Sequence, residues 1–315
     1  MLKNAAFTLS ILVIVAITLA FPEPFQRVGS YELTGLIVPL LMIIMFGMGT
    51  SVGVQDFVRV IRMPKSIGVG LACQYTIMPI VGFTLATMSG LPPEVAAGII
   101  LVGCAPGGLA SNVMAYISGA NLALSLSLTA FSTILAPFVT PLLMSWLAGE
   151  HIPIDVADMF WSITKIVLLP VVSGLLFNHF LHGRFPFIDR AMPLVSMVGI
   201  VVIIAVITAA GRDNLLTLGL ALIGFVAFQN ILGLALGYFA AKLIRMDEAS
   251  ARAIAFEVGM QNSGLASGIA VEMGRVATMG IAPAIFGPLM NINGSVLASF
   301  WRRSAATGRA DSEEE

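Results

Sequence analysis

Ten apolar stretches, separated by short polar connections, dominate the sequence. A helix needs about 20 apolar residues to cross about 30 Å of hydrocarbon. The 315 residues are 58% hydrophobic and only 10% charged, whereas soluble domains carry about 25% charged residues. The pattern therefore predicts an all-α polytopic membrane protein with ten transmembrane helices. We place these helices near 4–22, 33–53, 66–88, 93–117, 121–147, 157–178, 190–210, 215–242, 249–272 and 277–301.

The Lys and Arg residues of the connections predict the orientation, because cytoplasmic loops carry an excess of them. If the N-terminus is cytoplasmic, only Arg27, Arg212 and Arg275 fall on the outer side, and Lys165 lies within the sixth span. The basic residues on the cytoplasmic side are then Lys3, Arg59, Arg62, Lys65, Arg184, Arg190, Lys242, Arg245, Arg252, Arg302, Arg303 and Arg309. We expect a multi-pass protein of the cell inner (plasma) membrane with both termini cytoplasmic.

Several classes of function are disfavoured by what the sequence contains. A net charge of -1 gives no sign of nucleic-acid binding. Cys73 and Cys104 lie in apolar segments and predict neither a disulfide framework nor a metal site. His151, His179 and His182 fall in connections, and no Ser/His/Asp set, HExxH pattern or phosphate loop lies at membrane depth. We therefore expect a protein that is not an enzyme.

Two short segments mimic other signals. The first apolar run, 5–21, is longer than the roughly 7–15 residues of a signal-peptide core, so we interpret it as the first spanning helix. The tripeptide Asn293-Gly294-Ser295 matches a glycosylation acceptor, but it lies inside the tenth span, where modification cannot reach it. Neither segment is assigned its usual role.

The chain matches itself at a shift close to 155 residues. The segment VGCAPGGLAS (102–111) aligns with VGMQNSGLAS (258–267), and Gln74 aligns with Gln229. Five spans in each half are an odd number, so the second copy must enter the membrane from the opposite face. The sequence thus predicts inverted five-helix repeats over 1–150 and 151–305, followed by a disordered C-terminal tail, 306–315.

The fourth and ninth spans each contain residues that interrupt a helix. Pro106 stands beside Gly107 and Gly108, and the segment EVGMQNSGLASG (257–268) combines three glycines with polar residues. Proline removes a backbone donor and glycine favours non-helical geometry. Paired interruptions in two halves indicate a transporter binding site. The alternative interpretation is close helix packing through small residues.

Glu257 stands about eight residues into the ninth span. A carboxylate at this depth costs at least about 2.5–3.5 kcal/mol on insertion scales, so it should face an interior partner. Three interpretations stay open, namely a protonated structural residue, a proton-relay acid and a ligand for a small hard cation. Ser111, Asn112, Gln261 and Asn262 supply oxygens of the kind that hard cations prefer.

The segments CAPGGLASN (104–112) and EVGMQNSGLA (257–266) resemble signature segments of the bile acid:sodium symporter family, and the similarity extends over most of 1–305. The resemblance implies a core domain of helices 3–5 and 8–10 and a panel domain of helices 1, 2, 6 and 7. It also implies that helices 4 and 9 are discontinuous and cross.

The resemblance further implies two sodium sites and a substrate cleft. The first sodium site would use Ser111, Asn112, Ser125, Thr129 and Glu257. The second would use Gln74, Glu257, Gln261 and the carbonyls of Val258 and Met260. Substrate would contact Leu109, Ala110, Asn262 and Asn291, and Leu109 replaces a hydroxyl residue of some relatives.

These features predict a sodium-coupled symporter of organic anions, either bile acids or smaller carboxylates such as pantoate, that works by alternating access. Its partners would be sodium, the anion and the lipid bilayer, without nucleic acid, and a monomeric state is compatible with the sequence. One alternative is a cation/proton antiporter with Glu257 as the proton carrier. A receptor or a membrane-embedded enzyme is the other.

Overall fold

The computed structural model describes residues 2–51, 53, 63–181 and 186–313, and most of them are helical. Arg59, Arg62 and Arg184, which contribute to the predicted orientation, lie outside the described residues. The helices in the described part are α1 (Leu2–Ala20), α2 (Glu23–Gln26), α3 (Ile37–Ser51), α4 (Pro64–Ser89), α5 (Pro93–Cys104), α6 (Ala110–Ser118), α7 (Leu122–Ala148), α8 (Val156–Ile163), α9 (Leu169–Leu181), α10 (Pro186–Ala210), α11 (Arg212–Leu243), α12 (Glu248–Gly259), α13 (Ser263–Glu272) and α14 (Ile281–Glu313).

Six helical stretches in the described ranges are long and apolar enough to cross a membrane. They are Leu33–Ser51, Pro64–Ser89, Leu122–Ala148, Val156–Leu181, Arg212–Leu243 and Ile281–Arg303. Large apolar side chains on these helices face outward, as with Leu220 at 90% and Trp146 at 78% exposed. Such surfaces are typical of contact with lipid. The chain is an all-α polytopic membrane protein in its main architecture.

One connection and one span differ from the expected pattern. The first contains a small antiparallel pair of strands, β1 (Arg27–Val28) and β2 (Tyr31–Glu32). Gly29 has a φ of 61° in the turn between them, a backbone conformation that suits glycine in a tight hairpin. Within the sixth span, α8 and α9 are joined by a π-helical turn, Thr164–Leu168, from which Lys165 is exposed.

The end of the chain also differs from the expected disordered tail. Helix α14 continues through residues 306–313 as far as Glu313. These residues contain no proline, and adding a residue to an existing helix requires no new nucleus. The polar composition that suggests disorder is therefore compatible with extension of the last span.

Glycines allow α3 and α9 to pack backbone against backbone. A Cβ on Gly49 would overlap the carbonyl oxygen of Val171, and a Cβ on Gly174 would overlap that of Phe46. Small residues of this kind let membrane helices approach closely. Helix α3 also contacts α10, which contacts α1, whereas α4 contacts α5, α7, α11 and α12.

Side-chain caps fix where several helices begin. The side chains of Asn121 and Asp247 accept hydrogen bonds from backbone N–H groups of Leu124 and Ser250, at 3.1 and 2.9 Å. An unpaired N–H at a helix start is costly where water is scarce. Hydrogen bonding from Ser250 lowers the pKa of Asp247, which therefore remains a charged cap over a wide pH range.

Gly174→Ala tests the close packing of α3 and α9. The new methyl group would have to push the backbone of α3 away, so we expect a loss of about 1–3 kcal/mol of stability, the usual cost of overpacking. Gly68→Ala in α4 is the matched control, because no atom lies within 4 Å of the Cβ position there. Thermal unfolding of the purified protein in detergent compares the two. Equal melting temperatures for both variants would contradict the packing argument.

Candidate functional site

The two broken spans meet at their breaks. Residues 105–109 separate α5 from α6, and residues 260–262 separate α12 from α13. Gly108 N donates to Met260 O at 2.8 Å, and Asn262 N donates to Pro106 O at 2.8 Å. The two breaks therefore pair like a short antiparallel bridge, centred on Gly107 and Gln261. Each break satisfies backbone groups of the other.

Side chains satisfy other backbone carbonyls that the breaks release. Lipid cannot bond such groups, so a break in a membrane helix persists only where protein or trapped water does so. The donor and acceptor pairs are Thr140 Oγ1 to Cys104 O at 2.8 Å, Gln74 Nε2 to Ala105 O at 3.0 Å, Gln261 Nε2 to Val258 O at 2.5 Å and Asn230 Nδ2 to Gly259 O at 2.7 Å.

Glu257 lies on α12 just before the break and is 0% exposed. Its Oε2 accepts hydrogen bonds from Ser111 Oγ at 3.0 Å and Thr129 Oγ1 at 2.7 Å. Its Oε1 accepts one from Ser132 Oγ at 3.1 Å. Among the described residues, Glu257 makes no ion pair with Lys, Arg or His. A buried carboxylate is thus held by hydroxyl groups alone, without a protein cation.

Gly107 packs directly against the carboxyl group of Glu257. A Cβ on this residue would overlap the carboxyl group of Glu257. No side chain larger than hydrogen fits at this position without moving the acid. The glycine of the first break therefore has a steric role beyond interrupting the helix.

The residues predicted for the first sodium site come together in one cluster. Besides the contacts of Glu257, Asn112 Oδ1 accepts a hydrogen bond from Ser125 Oγ at 2.7 Å and lies 3.4 Å from Thr129 Oγ1, whose hydrogen is donated to Glu257. Ser111 Oγ and Thr129 Oγ1 are 3.3 Å apart. All five predicted residues are buried, and together they present carboxylate, amide and hydroxyl oxygens, the donor types that hard cations prefer.

The residues predicted for the second site form an adjoining cluster. Gln74 Nε2 donates to Gln261 Oε1 at 2.7 Å, and Gln261 in turn bonds the carbonyl of Val258. The carbonyl of Met260 accepts the backbone bond from Gly108. Glu257 directly precedes Val258 on α12 and is a predicted ligand of both sites. The predicted ligand oxygens of Gln261, Val258 and Met260 thus accept N–H donors, whereas the carboxylate of Glu257 accepts hydroxyl donors.

A cavity of about 360 Å³ borders the crossing. All four residues predicted to contact substrate line it, namely Leu109, Ala110, Asn262 and Asn291. The opposite wall consists mainly of apolar residues of α3 and α10. Among the described residues that line this cavity there is no Lys, Arg, His, Asp or Glu. Asn262 Oδ1 caps α13 by accepting from Leu265 N at 3.0 Å, and Asn291 Nδ2 donates to Gly287 O at 2.9 Å.

Sequence reasoning missed two of the contacts. Ser132 was not predicted, although it stands three residues after Thr129 and so lies on the same face of α7. The self-alignment paired Gln74 with Gln229, but Gln229 Nε2 donates to Ile99 O at 3.0 Å, away from the second break. Asn230 contacts that break, and a shift of 156 rather than 155 pairs it with Gln74.

Polar contacts also join the two broken spans at both ends. At one end, Arg275 forms an ion pair with Glu94 at the start of α5, and Thr278 Oγ1 donates to the same carboxylate at 2.6 Å. At the other end, Asn121 Nδ2, which follows α6, donates to Ser250 Oγ in α12 at 3.2 Å. The crossing is therefore fixed at its centre and at both ends.

Comparisons with known proteins show the family to which this chain is similar. The family model described as "Sodium Bile acid symporter family" matches residues 38–218. The uncharacterized sodium-dependent transporter YocS of Bacillus subtilis (strain 168) is 42% identical over 308 residues, which cover 98% of this chain and 94% of that protein.

Plant relatives match over a shorter share of their own length. The probable sodium/metabolite cotransporter BASS1, chloroplastic, of Arabidopsis thaliana is 36% identical, covering 84% of this chain and 66% of that protein. The probable sodium/metabolite cotransporter BASS2, chloroplastic, of Oryza sativa subsp. japonica is 37% identical, covering 85% and 64%. The resemblance given by the two signature segments is confirmed, and the chain belongs to the sodium bile acid symporter family.

Proposed function

We propose that the protein is a sodium-coupled symporter of organic anions. The observation that carries this proposal is Glu257, a fully buried carboxylate that accepts hydrogen bonds from three hydroxyl groups and forms no ion pair within the described part of the chain. A monovalent hard cation suits such a set in charge and in ligand type. The names of the relatives, which include a sodium-dependent transporter and sodium/metabolite cotransporters, support sodium as the coupling ion.

Two sodium ions are proposed, one for each oxygen cluster. The first would bind among Ser111, Asn112, Ser125, Thr129 and Glu257, and Ser132 would orient the other oxygen of the carboxylate. The second would bind among Gln74, Glu257, Gln261 and the carbonyls of Val258 and Met260. Sharing one carboxylate makes the two binding events interdependent, since each ion changes the charge that the other meets.

We propose the cavity beside the crossing as the substrate site. Its apolar wall suits the hydrocarbon part of an amphipathic anion, and Asn262 and Asn291 supply amide groups on the other side. With no basic residue in the lining, the negative charge would depend on these amides and on the N-terminal ends of α6 and α13. Bile acids and smaller carboxylates such as pantoate are both candidates.

The proposed architecture is ten spans in two inverted repeats, 1–150 and 151–305, with both termini cytoplasmic. The matching breaks and the contacts at both ends of the crossing support it. Helices α4–α7 and α11–α14 would form the core domain, and α1, α3, α8, α9 and α10 the panel. Alternating access would arise from movement of one domain against the other, because the proposed substrate cavity lies between them.

Uptake into proteoliposomes tests the proposal. We expect accumulation of radiolabelled cholate or pantoate when an inward sodium gradient is imposed, and none when choline replaces sodium. Uptake that ignores the gradient for every anion tested would refute symport. The alternative, a cation/proton antiporter using Glu257, predicts a sodium-driven change of internal pH without any organic anion, so a pH dye inside the same vesicles separates the two functions.

Glu257→Gln tests the shared carboxylate. The substitution keeps the size of the side chain but removes the charge, so we expect the sodium concentration for half-maximal thermal stabilisation to rise at least about tenfold, equivalent to about 1.4 kcal/mol. Glu272→Gln, on an exposed residue at the end of α13, is the control. An unchanged sodium response in Glu257→Gln would contradict the assignment.

Gln261→Ala separates the two ion sites. We expect it to impair the second site and leave the first, so the Hill coefficient for sodium should fall from about two to about one. Stimulation of anion uptake by increasing sodium measures this coefficient. Retention of the wild-type coefficient would exclude Gln261 as a ligand of a second ion.

Gly107→Ala tests the wall beside Glu257. The added methyl group overlaps the carboxyl group, so it must displace the acid and weaken sodium binding by about tenfold, or about 1.4 kcal/mol. Gly224→Ala in α11 adds the same methyl group where nothing lies within 4 Å, and it should leave sodium binding unchanged. Sodium titrations of thermal stability compare the two. Equal affinities would show that the carboxylate does not need its observed position.

A further inference from the structure

A buried amide, Asn230, and a half-buried amide, Asn293, hold the end of α12 at the second break. Asn230, on α11, is 0% exposed, and its Nδ2 donates to Gly259 O at 2.7 Å. Its Oδ1 accepts a hydrogen bond from Asn293 Nδ2, on α14, at 2.8 Å. The contacts form a chain from α14 through α11 to the last residue of α12.

The tripeptide Asn293-Gly294-Ser295, which resembles a glycosylation acceptor, packs against the crossing. A Cβ on Gly294 would lie 2.9 Å from the sulfur of Met260, and Ser295 Oγ lies 3.8 Å from the sulfur of Met114. Two residues earlier on α14, Asn291 lines the cavity. One short segment of α14 therefore touches both the cavity and the second break.

Gly259 depends on an external contact for its orientation. Glycine has no side chain to restrict its backbone, so its peptide groups rotate more freely than those of other residues. Leu234 N would lie 2.8 Å from a Cβ at this position, so the close approach of α11 excludes a larger residue there. The hydrogen bond from Asn230 is the side-chain contact that fixes the Gly259 carbonyl.

We propose that Asn230 and Asn293 are positioning residues for the second sodium site. Gly259 lies between Val258 and Met260, whose carbonyls are the proposed backbone ligands, and adjacent peptide planes turn together. The inference rests on the proposed function, because it assumes that sodium binds at these carbonyls. The same pair of asparagines joins the ligand carbonyls to α14 and hence to the cavity wall that carries Asn291.

Gln229 provides a matched control one residue away. It lies on the same helix, is also 0% exposed and donates one hydrogen bond, but to Ile99 O rather than to the second break. Replacing either amide with an apolar residue of similar size preserves volume and deletes one hydrogen bond at Gln229 but two at Asn230. Only the loss of Asn230 should change the position of the carbonyls that are proposed to bind sodium.

The experiment compares Asn230→Leu, Asn293→Leu and Gln229→Met in detergent, using sodium chloride as the probe and choline chloride to keep ionic strength constant. The sodium concentration for half of the maximal rise in melting temperature is measured for each protein. We expect this concentration to rise about tenfold in Asn230→Leu and about threefold in Asn293→Leu, because the latter leaves the Asn230 donor in place. Gln229→Met should stay within about twofold of the wild type.

If Asn230 has only a structural role, Asn230→Leu and Gln229→Met should both lower the melting temperature without sodium. Their sodium titrations should then match that of the wild type, and this result would overturn the inference. If Asn230→Leu cannot be purified, Asn293→Leu is the test variant. A sodium titration of Asn293→Leu that matches the wild type would overturn the inference. Failure of wild-type protein to respond to sodium at all would instead refute the proposed function.

Discussion

The centre of this protein depends on a buried carboxylate that has no Lys, Arg or His partner among the residues that the structure describes. Glu257 is fully buried, and three hydroxyl groups from α6 and α7 supply its hydrogen bonds. An ionised group at membrane depth is costly, and hydroxyl dipoles offset only part of that cost. The surrounding structure is consistent with a site completed by a mobile cation, since Gly107 leaves room for the acid and the adjoining amides and carbonyls present further oxygens.

The hydrogen bonds around the breaks explain how an irregular backbone persists among apolar helices. Each break supplies a backbone donor to the other, and side chains of α4, α7 and α11 bond other freed carbonyls. The ends of the broken spans are joined as well, through Glu94 with Arg275 and through Asn121 with Ser250. The two broken spans are held together at the crossing and at both ends, so they resist rearrangement relative to each other. If the proposed alternating access occurs, movement is expected at the wall that α3 and α10 present to the cavity, because its described lining residues are mainly apolar.

Much of this arrangement could be predicted from the sequence, because apolar length and helix-interrupting residues are local signals. The all-α membrane architecture and the breaks near Pro106 and Gln261 are found in the structure, and the residues predicted for the first sodium site contact one another. The ten-span count and the roles of these residues stay predictions. Contacts that depend on how helices are rotated against each other could not be predicted from the sequence. Gln229 and Asn230 are adjacent amides on one helix, and only packing decides which of them faces the break. Ser132 was overlooked for a similar reason, since hydroxyls on membrane helices often bond their own backbone.

Sodium binding at the proposed sites would have to displace hydrogen bonds that the same oxygens already make. Ser111 and Thr129 donate to Glu257, and Gln261 donates to Val258 O. A cation at these oxygens would require the donor hydrogens to turn away, so ion binding at the proposed second site would reorient the side chain of Gln261. Asn262 follows directly in the chain, caps α13 and lines the cavity. A change at Gln261 would therefore reach the cavity wall through one peptide bond, which would give a short physical route for coupling between ion and substrate.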